Sequence, residues 1–174
     1  AAEYAHAADR RIRKLKEAGF NAVRSSHYPM SRCLLEACDR QGMLVLNENR
    51  LIEVTRHRME DLEELIKSSR NHPSVFAWSL SNEEMFAGSY QAKRILHTML
   101  PFARRLDSTR PFVSAEAFLS PEEAEEYGLE LFDILGLNYV ESAMAGDLFT
   151  IAAQRYPQMK FMNTENTSWY STRG

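Results

Sequence analysis

Two glutamates follow apolar runs of the sequence, and each has an asparagine beside it. Glu83 ends the stretch SVFAWSLSNE, and Glu165 lies in KFMNTEN. The first run is β-branched and aromatic, which is typical of a strand that is buried on both faces of a sheet. Two carboxylates that face each other suit glycoside hydrolysis, because one protonates the departing oxygen while the other attacks the anomeric carbon or activates water.

The other apolar runs also end in ionisable or amide side chains. The residues in these positions are Arg24, His27, Asn47, Glu48, Glu116, Asn138, Tyr139 and Asn166. Loops are polar in most proteins, so a single residue of this kind carries little information. Carboxylates at several strand ends, in contrast, predict an active site at the carboxyl ends of the strands. The structural alternative is that these glutamates only pair with Arg24, Arg110 or helix N-termini.

Apolar runs and amphipathic helices alternate along the whole chain. We predict strands in FNAVRS, MLVLN, SVFAWSL, PFVSAE, FDILGLN and KFMNT. Helices are predicted at residues 8–18, between Ser31 and Gly42, at 57–70, at 92–106, from the capping box Ser120-Pro121-Glu122-Glu123, and at 147–155. Strand-plus-helix units in series predict an α/β protein with right-handed crossovers.

Two architectures fit this order of elements: a doubly wound open sheet and part of an eight-stranded barrel. The open sheet usually binds nucleotides through a glycine-rich first turn, but the turn after FNAVRS is SHYPMS. A complete barrel has about 250 residues, whereas this chain has 174. The sequence therefore predicts a (β/α)8 TIM barrel that is incomplete in this chain and lacks about one strand at each end. We expect residues 1–174 to form a single catalytic domain.

Composition and charge give no indication of a nucleic acid or membrane partner. The net charge is −3 and the pI is about 6.0, which offers no electrostatic attraction to polyanions. No apolar run approaches the roughly 20 residues of a membrane span, and the first residues lack the apolar region of a signal peptide. Cys33 and Cys38 match no zinc or redox motif, so we predict structural thiols. The compartment stays open.

Several stretches resemble the catalytic barrel of glycoside hydrolase family 2. They are NAVRSSHYP (Asn21–Pro29), CDRQGMLVLNE (Cys38–Glu48) and NHPSVFAWSLSNE (Asn71–Glu83), followed in the family's order by RPFVSAE, FDILGLNY and KFMNTENTSWYSTRG. The resemblance extends from about Ala8 to Gly174. The family contains β-galactosidases, β-glucuronidases and β-mannosidases, and it carries β-sandwich domains upstream of the barrel. The resemblance therefore implies that this chain is an excerpt of a longer multidomain protein.

The resemblance implies catalytic roles for two glutamates. Glu83 matches the general acid/base, and Glu165 matches the nucleophile of a double displacement with retention of configuration. The two residues lie on predicted strands three apart, so we expect their carboxyls to face each other at the roughly 5–5.5 Å of a retaining enzyme. Asn82 would hydrogen-bond the sugar 2-hydroxyl.

The resemblance also implies residues that bind the sugar. Arg24 and His27 match a motif that lines the sugar site, and Tyr139 matches a hydroxyl beside the nucleophile. Trp169 either stacks on the sugar or has no part in the site. Glu84, next to the proposed acid, is expected to be a solvated loop residue. Asn47 stands where the family commonly has Asp, and Trp78 is expected in the core.

The expected substrates are β-galactosides, with β-glucuronides or β-mannosides as the alternative within the family. A uronate substrate would need an extra cationic or amide site, whose usual place lies beyond Gly174. No cofactor is expected, and Glu48, Glu53 and His57 are interpreted as structural or solvated residues rather than as metal ligands. The expected partners are a carbohydrate substrate, the upstream β-sandwich domains and a possible homo-oligomer. A non-catalytic carbohydrate-binding or scaffold barrel is the alternative of another class.

Overall fold

The computed structural model describes residues 3–49, 51–84, 89–117, 128–140 and 148–166, along which helices and strands alternate. The helices are α1 (Ala5–Glu17), α2 (Arg32–Gln41), α3 (Arg56–Ser69), α4 (Tyr90–Leu106) and α5 (Leu148–Arg155), with a short 3-10 helix at Leu129–Leu131. The strands are β1 (Ala22–Arg24), β2 (Leu44–Glu48), β3 (Val75–Asn82), β4 (Phe112–Ala117), β5 (Ile134–Asn138) and β6 (Lys160–Glu165). Among these described helices, none has both the length and the apolar character to cross a membrane.

The strands form one parallel sheet in the order in which they occur in the chain, from β1 to β6. A doubly wound sheet reverses its strand order part-way, whereas a barrel adds each new strand beside the previous one. The sequential order therefore excludes the open doubly wound sheet. The prediction of an incomplete (β/α)8 barrel is confirmed.

Helix α2 shows how local sequence sets the element boundaries. It begins after Ser31, whose hydroxyl accepts a hydrogen bond from the backbone N–H of Leu34, and it ends at Gly42 in the left-handed conformation with φ of 66°. A serine cap satisfies a free N–H of the first turn, and glycine adopts positive φ without steric cost. Both boundaries agree with the sequence prediction.

Other predicted elements differ from the structure or fall outside its described part. Helix α1 ends at Glu17, so Ala18, the last residue of the predicted helix, lies outside it, and Ala18 is exposed. The helix predicted from Ser120 lies outside the described residues.

The core has two layers, one on each face of the sheet. The larger layer joins strand residues such as Trp78, Phe112 and Leu137 to helix residues such as Leu62 and Leu96. A smaller cluster on the opposite face contains Leu46, Ala77 and Val113, each next to a residue of the larger layer. Trp78 is fully buried, as predicted, and its indole N–H donates to Asp107 at 3.1 Å. Packing on both faces therefore fixes the positions of the strands and of the residues at their carboxyl ends.

Gly136 sits at a close approach between neighbouring strands. A Cβ atom at this position would lie 2.7 Å from the backbone oxygen of Ser114 on β4 and 2.6 Å from Cγ2 of Thr164 on β6. We therefore expect Gly136→Ala to lower the free energy of unfolding by about 1–3 kcal/mol through overpacking, as measured by chemical denaturation. Adding Thr164→Ser should not restore the stability, since the carbonyl oxygen remains. A Gly136→Ala protein as stable as the wild type would contradict this packing.

Candidate active site

The carboxyl ends of the strands bring a set of polar residues together at one edge of the barrel. Parallel strands direct their C-terminal ends to the same edge, which is where barrel active sites lie. Five strands end in a residue of this set, and Glu83 and Tyr139 directly follow two of them. The five strand-end residues are Arg24, Glu48, Asn82, Asn138 and Glu165.

Arg24 connects three other strands through its guanidinium group. Its Nε donates to Glu48 Oε2 at 2.6 Å, its Nη1 to Glu165 Oε1 at 2.7 Å and its Nη2 to Asn82 Oδ1 at 2.7 Å. The Arg24 side chain is 7% exposed, that of Glu48 is 0% exposed and that of Glu165 is 18% exposed. Burial of this kind makes mutual compensation of the charges essential to the folded state.

Glu165 receives a second donor on its other oxygen. The phenol of Tyr139 donates to Glu165 Oε2 at 2.5 Å, while Arg24 holds Oε1. The His27 ring is 40% exposed, with Nδ1 3.2 Å from Glu48 Oε1 and Nε2 3.8 Å from Glu165 Oε1. Both carboxylate oxygens of Glu165 are therefore oriented by neighbouring side chains.

Asn138 joins Glu83 to the same network. Its Nδ2 donates to Glu83 Oε1 at 2.7 Å and to Asn82 Oδ1 at 3.1 Å, and its Oδ1 accepts from the Thr164 hydroxyl at 2.6 Å. The two glutamates predicted to face each other thus belong to one hydrogen-bonded cluster. Asn82 Oδ1 already accepts from Arg24 as well, so its Nδ2 is the end of the amide that can donate to a ligand.

Glu83 and Tyr139 hold unusual backbone conformations where they follow their strands. Their φ angles are 46° and 55°, in the left-handed region that non-glycine residues rarely adopt. Each is held by a backbone hydrogen bond, from the Glu83 N–H to Ala115 O at 2.9 Å and from the Tyr139 N–H to Glu165 O at 2.8 Å. Such conformations persist where surrounding contacts determine them, and they cluster at functional sites.

Three predicted strand-end residues do not line this cluster. Glu116 is 2% exposed and bonds to serine hydroxyls, and burial raises its pKa to about 7. Asn47 is buried, and its Oδ1 accepts from the Ser25 hydroxyl at 3.1 Å and from the Met30 N–H at 2.9 Å, so it orders the segment after β1. Asn166 is exposed. In the described structure, none of the three has a hydrogen bond to Arg24, Glu83 or Glu165.

The prediction for Glu84 is wrong, and the prediction for Trp169 concerns a residue outside the described part of the chain. Glu84 is not simply solvated, because it is half-buried and its Oε1 accepts from the Ile52 N–H at 3.2 Å. Trp169 lies outside the described residues.

The structure shows partners that the sequence did not indicate. Glu48 is a buried partner of Arg24. Asn138 connects Glu83 to Asn82 and to Thr164, the residue before Glu165. Within the described part of the chain, no three His, Cys, Asp or Glu side chains are arranged to hold a metal ion. The sequence indicated a site role for Asn138 only through its position at the end of a strand. It did not indicate that Asn138 bonds Glu83.

Comparison with known proteins identifies the family. Residues 6–57 and 52–172 match the family model for the TIM barrel domain of glycosyl hydrolases family 2. The chain belongs to glycoside hydrolase family 2. The "Beta-glucuronidase" of Mus musculus is 31% identical over 91% of this chain and 24% of that protein. The "Beta-galactosidase BoGH2A" of Bacteroides ovatus is 30% identical over 100% of this chain and 25% of that protein.

A solved structure supports the same assignment. The family 2 member from Bacteroides cellulosilyticus superposes with a TM-score of 0.84 at 33% identity, over 94% of this chain and 22% of that one. The resemblance predicted from the sequence motifs is confirmed. The chain spans about a quarter of the length of these family 2 relatives.

The buried guanidinium should dominate the stability of this family 2 site. Arg24→Met leaves Glu48 buried without its cation, and we expect the free energy of unfolding to fall by about 3–5 kcal/mol. The double variant Arg24→Met/Glu48→Gln should recover part of the loss, as measured by chemical denaturation.

Arg32→Met offers a matched control for this prediction. Arg32 and Glu36 form a pair of similar length, 2.8 Å, but the Arg32 side chain is 87% exposed. We expect no measurable change in stability from this substitution, because exposed pairs contribute little. Equal effects of the Arg24 and Arg32 substitutions would refute the role given to burial.

Proposed function

We propose that the protein containing this chain is a retaining β-glycosidase, with Glu165 as nucleophile and Glu83 as general acid/base. The observation that carries the proposal is the hydrogen-bonded cluster that contains both carboxyls. Glu165 is oriented by a cation and a phenol, whereas Glu83 is bonded by the neutral amide of Asn138. Two carboxyl groups in different environments at one mouth suit the division of roles in retaining glycosidases.

The proposed reaction proceeds in two displacements. Glu165 attacks the anomeric carbon while Glu83 donates its proton to the departing oxygen, which gives a glycosyl-enzyme intermediate. Glu83 then removes a proton from water, and the hydroxide attacks the anomeric carbon and releases Glu165. The Asn82 amide N–H would bond the 2-hydroxyl, an interaction that strengthens in the transition state. His27 and Arg24 would line the sugar site, and no step needs a cofactor.

We propose β-galactosides as the substrates, with β-glucuronides as the second candidate. The stretch KFMNTENTSWYSTRG resembles the nucleophile strand of certain β-galactosidase-like members of the family, which favours the first sugar. Arg24, whose guanidinium enters the cluster, already donates to two carboxylates and an amide, so a uronate would need another cation. The second candidate has support because a β-glucuronidase and a β-galactosidase match this chain at similar identity.

The relatives' greater length supports further proposals about the whole protein. They are about four times as long as this chain, so we propose that domains outside it, including β-sandwich domains, complete the enzyme. We also propose that the ligand of the site is a carbohydrate. In a homo-oligomer, contacts between subunits would add to the substrate pocket.

Covalent trapping tests the proposed nucleophile. We expect the full-length protein, incubated with activated 2-deoxy-2-fluoro-β-glycosides, to gain the mass of one glycosyl group on Glu165, because the fluorine slows hydrolysis of the intermediate. Intact mass spectrometry followed by peptide mapping measures the adduct. Comparison of galactosyl, glucuronyl and mannosyl reagents identifies the preferred sugar.

The Glu165→Gln variant is the matched control for trapping, and it should gain no mass. An adduct on another residue would refute the assignment of the nucleophile. No adduct with any of the three sugars, in a protein shown to be folded, would favour a non-catalytic carbohydrate-binding barrel.

Leaving-group dependence tests the proposed acid/base. Glu83→Ala should lower kcat/KM for alkyl glycosides by about 10²–10⁴-fold, since their leaving groups need a proton. Dinitrophenyl glycosides, which depart without one, should keep most of their rate of glycosylation, and added azide should yield the β-glycosyl azide. Glu84→Ala removes the neighbouring carboxylate as a control and should show no such dependence on the leaving group. Equal losses on both substrate types in Glu83→Ala would rule out the acid role.

A further inference from the structure

Glu116 is a buried carboxyl that the proposed reaction does not use. It lies on β4 with 2% of its surface exposed. Its Oε1 accepts from the hydroxyl of Ser114 at 2.5 Å and from that of Ser81 at 3.1 Å. The two serine oxygens are 2.8 Å apart. Burying a polar group this fully costs free energy unless the group is hydrogen-bonded. The hydrogen bonds of this Ser81–Ser114–Glu116 trio therefore offset the cost of burying the Glu116 carboxyl.

The trio lies where the pairing of β3 with β4 changes register. Ser79 pairs with Val113, and the next pair is Ser81 with Ser114, so one residue of β3 is inserted. A bulge of this kind redirects the side chains that follow it, and a slip by one residue moves each side chain to the other face. The residues that follow this bulge are Asn82 and Glu83, which reach the active-site cluster.

The end of β3 is thus attached to β4 by two kinds of bond. The Ser81 hydroxyl bonds Glu116, and the Glu83 backbone N–H bonds Ala115 O at 2.9 Å. Glu83 has a φ of 46°, which persists only where neighbouring contacts determine it. Removing one attachment should therefore let Glu83 leave its position before the rest of the strand is affected.

We propose that Glu116 is a positioning residue for Glu83, acting through Ser81 to hold the β3 bulge that directs Asn82 and Glu83 to the active site. The inference rests on the proposed role of Glu83 as general acid/base. Glu116 itself touches neither the substrate nor the reacting atoms, so its effect is on the acid-assisted step.

The serines provide a matched pair of variants for the test in the full-length protein. Ser81→Ala removes the bond between β3 and Glu116, whereas Ser114→Ala removes a hydroxyl of the same trio that is carried by β4. We expect Ser81→Ala to lower kcat for alkyl glycosides by about 10-fold or more, because small displacements of catalytic groups are costly. Its rate of glycosylation by dinitrophenyl glycosides should change by less than about 3-fold. Ser114→Ala should change both rates by less than about 3-fold.

Glu116→Gln keeps the hydrogen-bond acceptor of the trio, and it remains informative if Ser81→Ala fails to fold. The Gln oxygen can still accept from both serines, so kcat at the optimum should be kept for alkyl and for dinitrophenyl glycosides.

Each outcome decides the proposal. Equal losses on both substrate types in Ser81→Ala, or equal effects of Ser81→Ala and Ser114→Ala, would overturn it and leave a structural role only. A loss of about 10-fold or more for alkyl glycosides in Glu116→Gln, which keeps the acceptor for Ser81, would also overturn it. Covalent trapping on Glu165 and the leaving-group effect in Glu83→Ala are measured in parallel. If they fail, the proposed function fails; if they hold and the serine variants behave alike, only this inference fails.

Discussion

The neutralisation of buried charge around Arg24 is the constraint on which the site depends. A guanidinium that is 7% exposed bonds a fully buried carboxylate on β2, a second carboxylate on β6 and an amide on β3. Its planar fork has donors in fixed directions, so the acceptors must arrive in fixed positions. The register of four strands is therefore tied to the geometry of one side chain, and an error in any of them would leave a charge uncompensated in the interior.

Neutral amides extend the hydrogen-bonded cluster from the ion pairs of Arg24 to Glu83. Asn82 and Asn138 connect Glu83 to Arg24, which bonds Glu165, and they add donors and acceptors without adding charge. Ser81, Ser114 and Glu116 form a comparable arrangement behind the strand end. Two hydrogen-bonded networks, the cluster around Arg24 and the Ser81–Ser114–Glu116 trio, thus meet at Asn82 and Glu83.

The fold, and the placement of several polar residues at one edge of the sheet, could be predicted because they depend on local patterns. Strand composition, the Ser31 cap and Gly42 predicted element boundaries, and the placement of Arg24, Asn82 and Glu165 at strand ends predicted a shared edge. The roles of Glu84, Asn47 and Asn138 could not be predicted this way. They depend on which residue lies opposite across strands and loops, and on bulges in the β3–β4 and β5–β6 pairings. A one-residue insertion changes side-chain direction without leaving a signal in composition.

The sequential order of the sheet has a consequence for how the molecule is assembled. Each strand pairs with the one made just before it, so the sheet can grow from one end during synthesis with short loops to close at each step. The bond between Arg24 and Glu165 spans 141 positions and belongs to the last strand of this series. Growth of the scaffold is therefore gradual, whereas the charge cluster is completed only when β6 has joined the sheet. Until then Arg24 lacks one of its carboxylates, and a nascent or truncated chain would hold part of the barrel wall without the charge cluster of the candidate site.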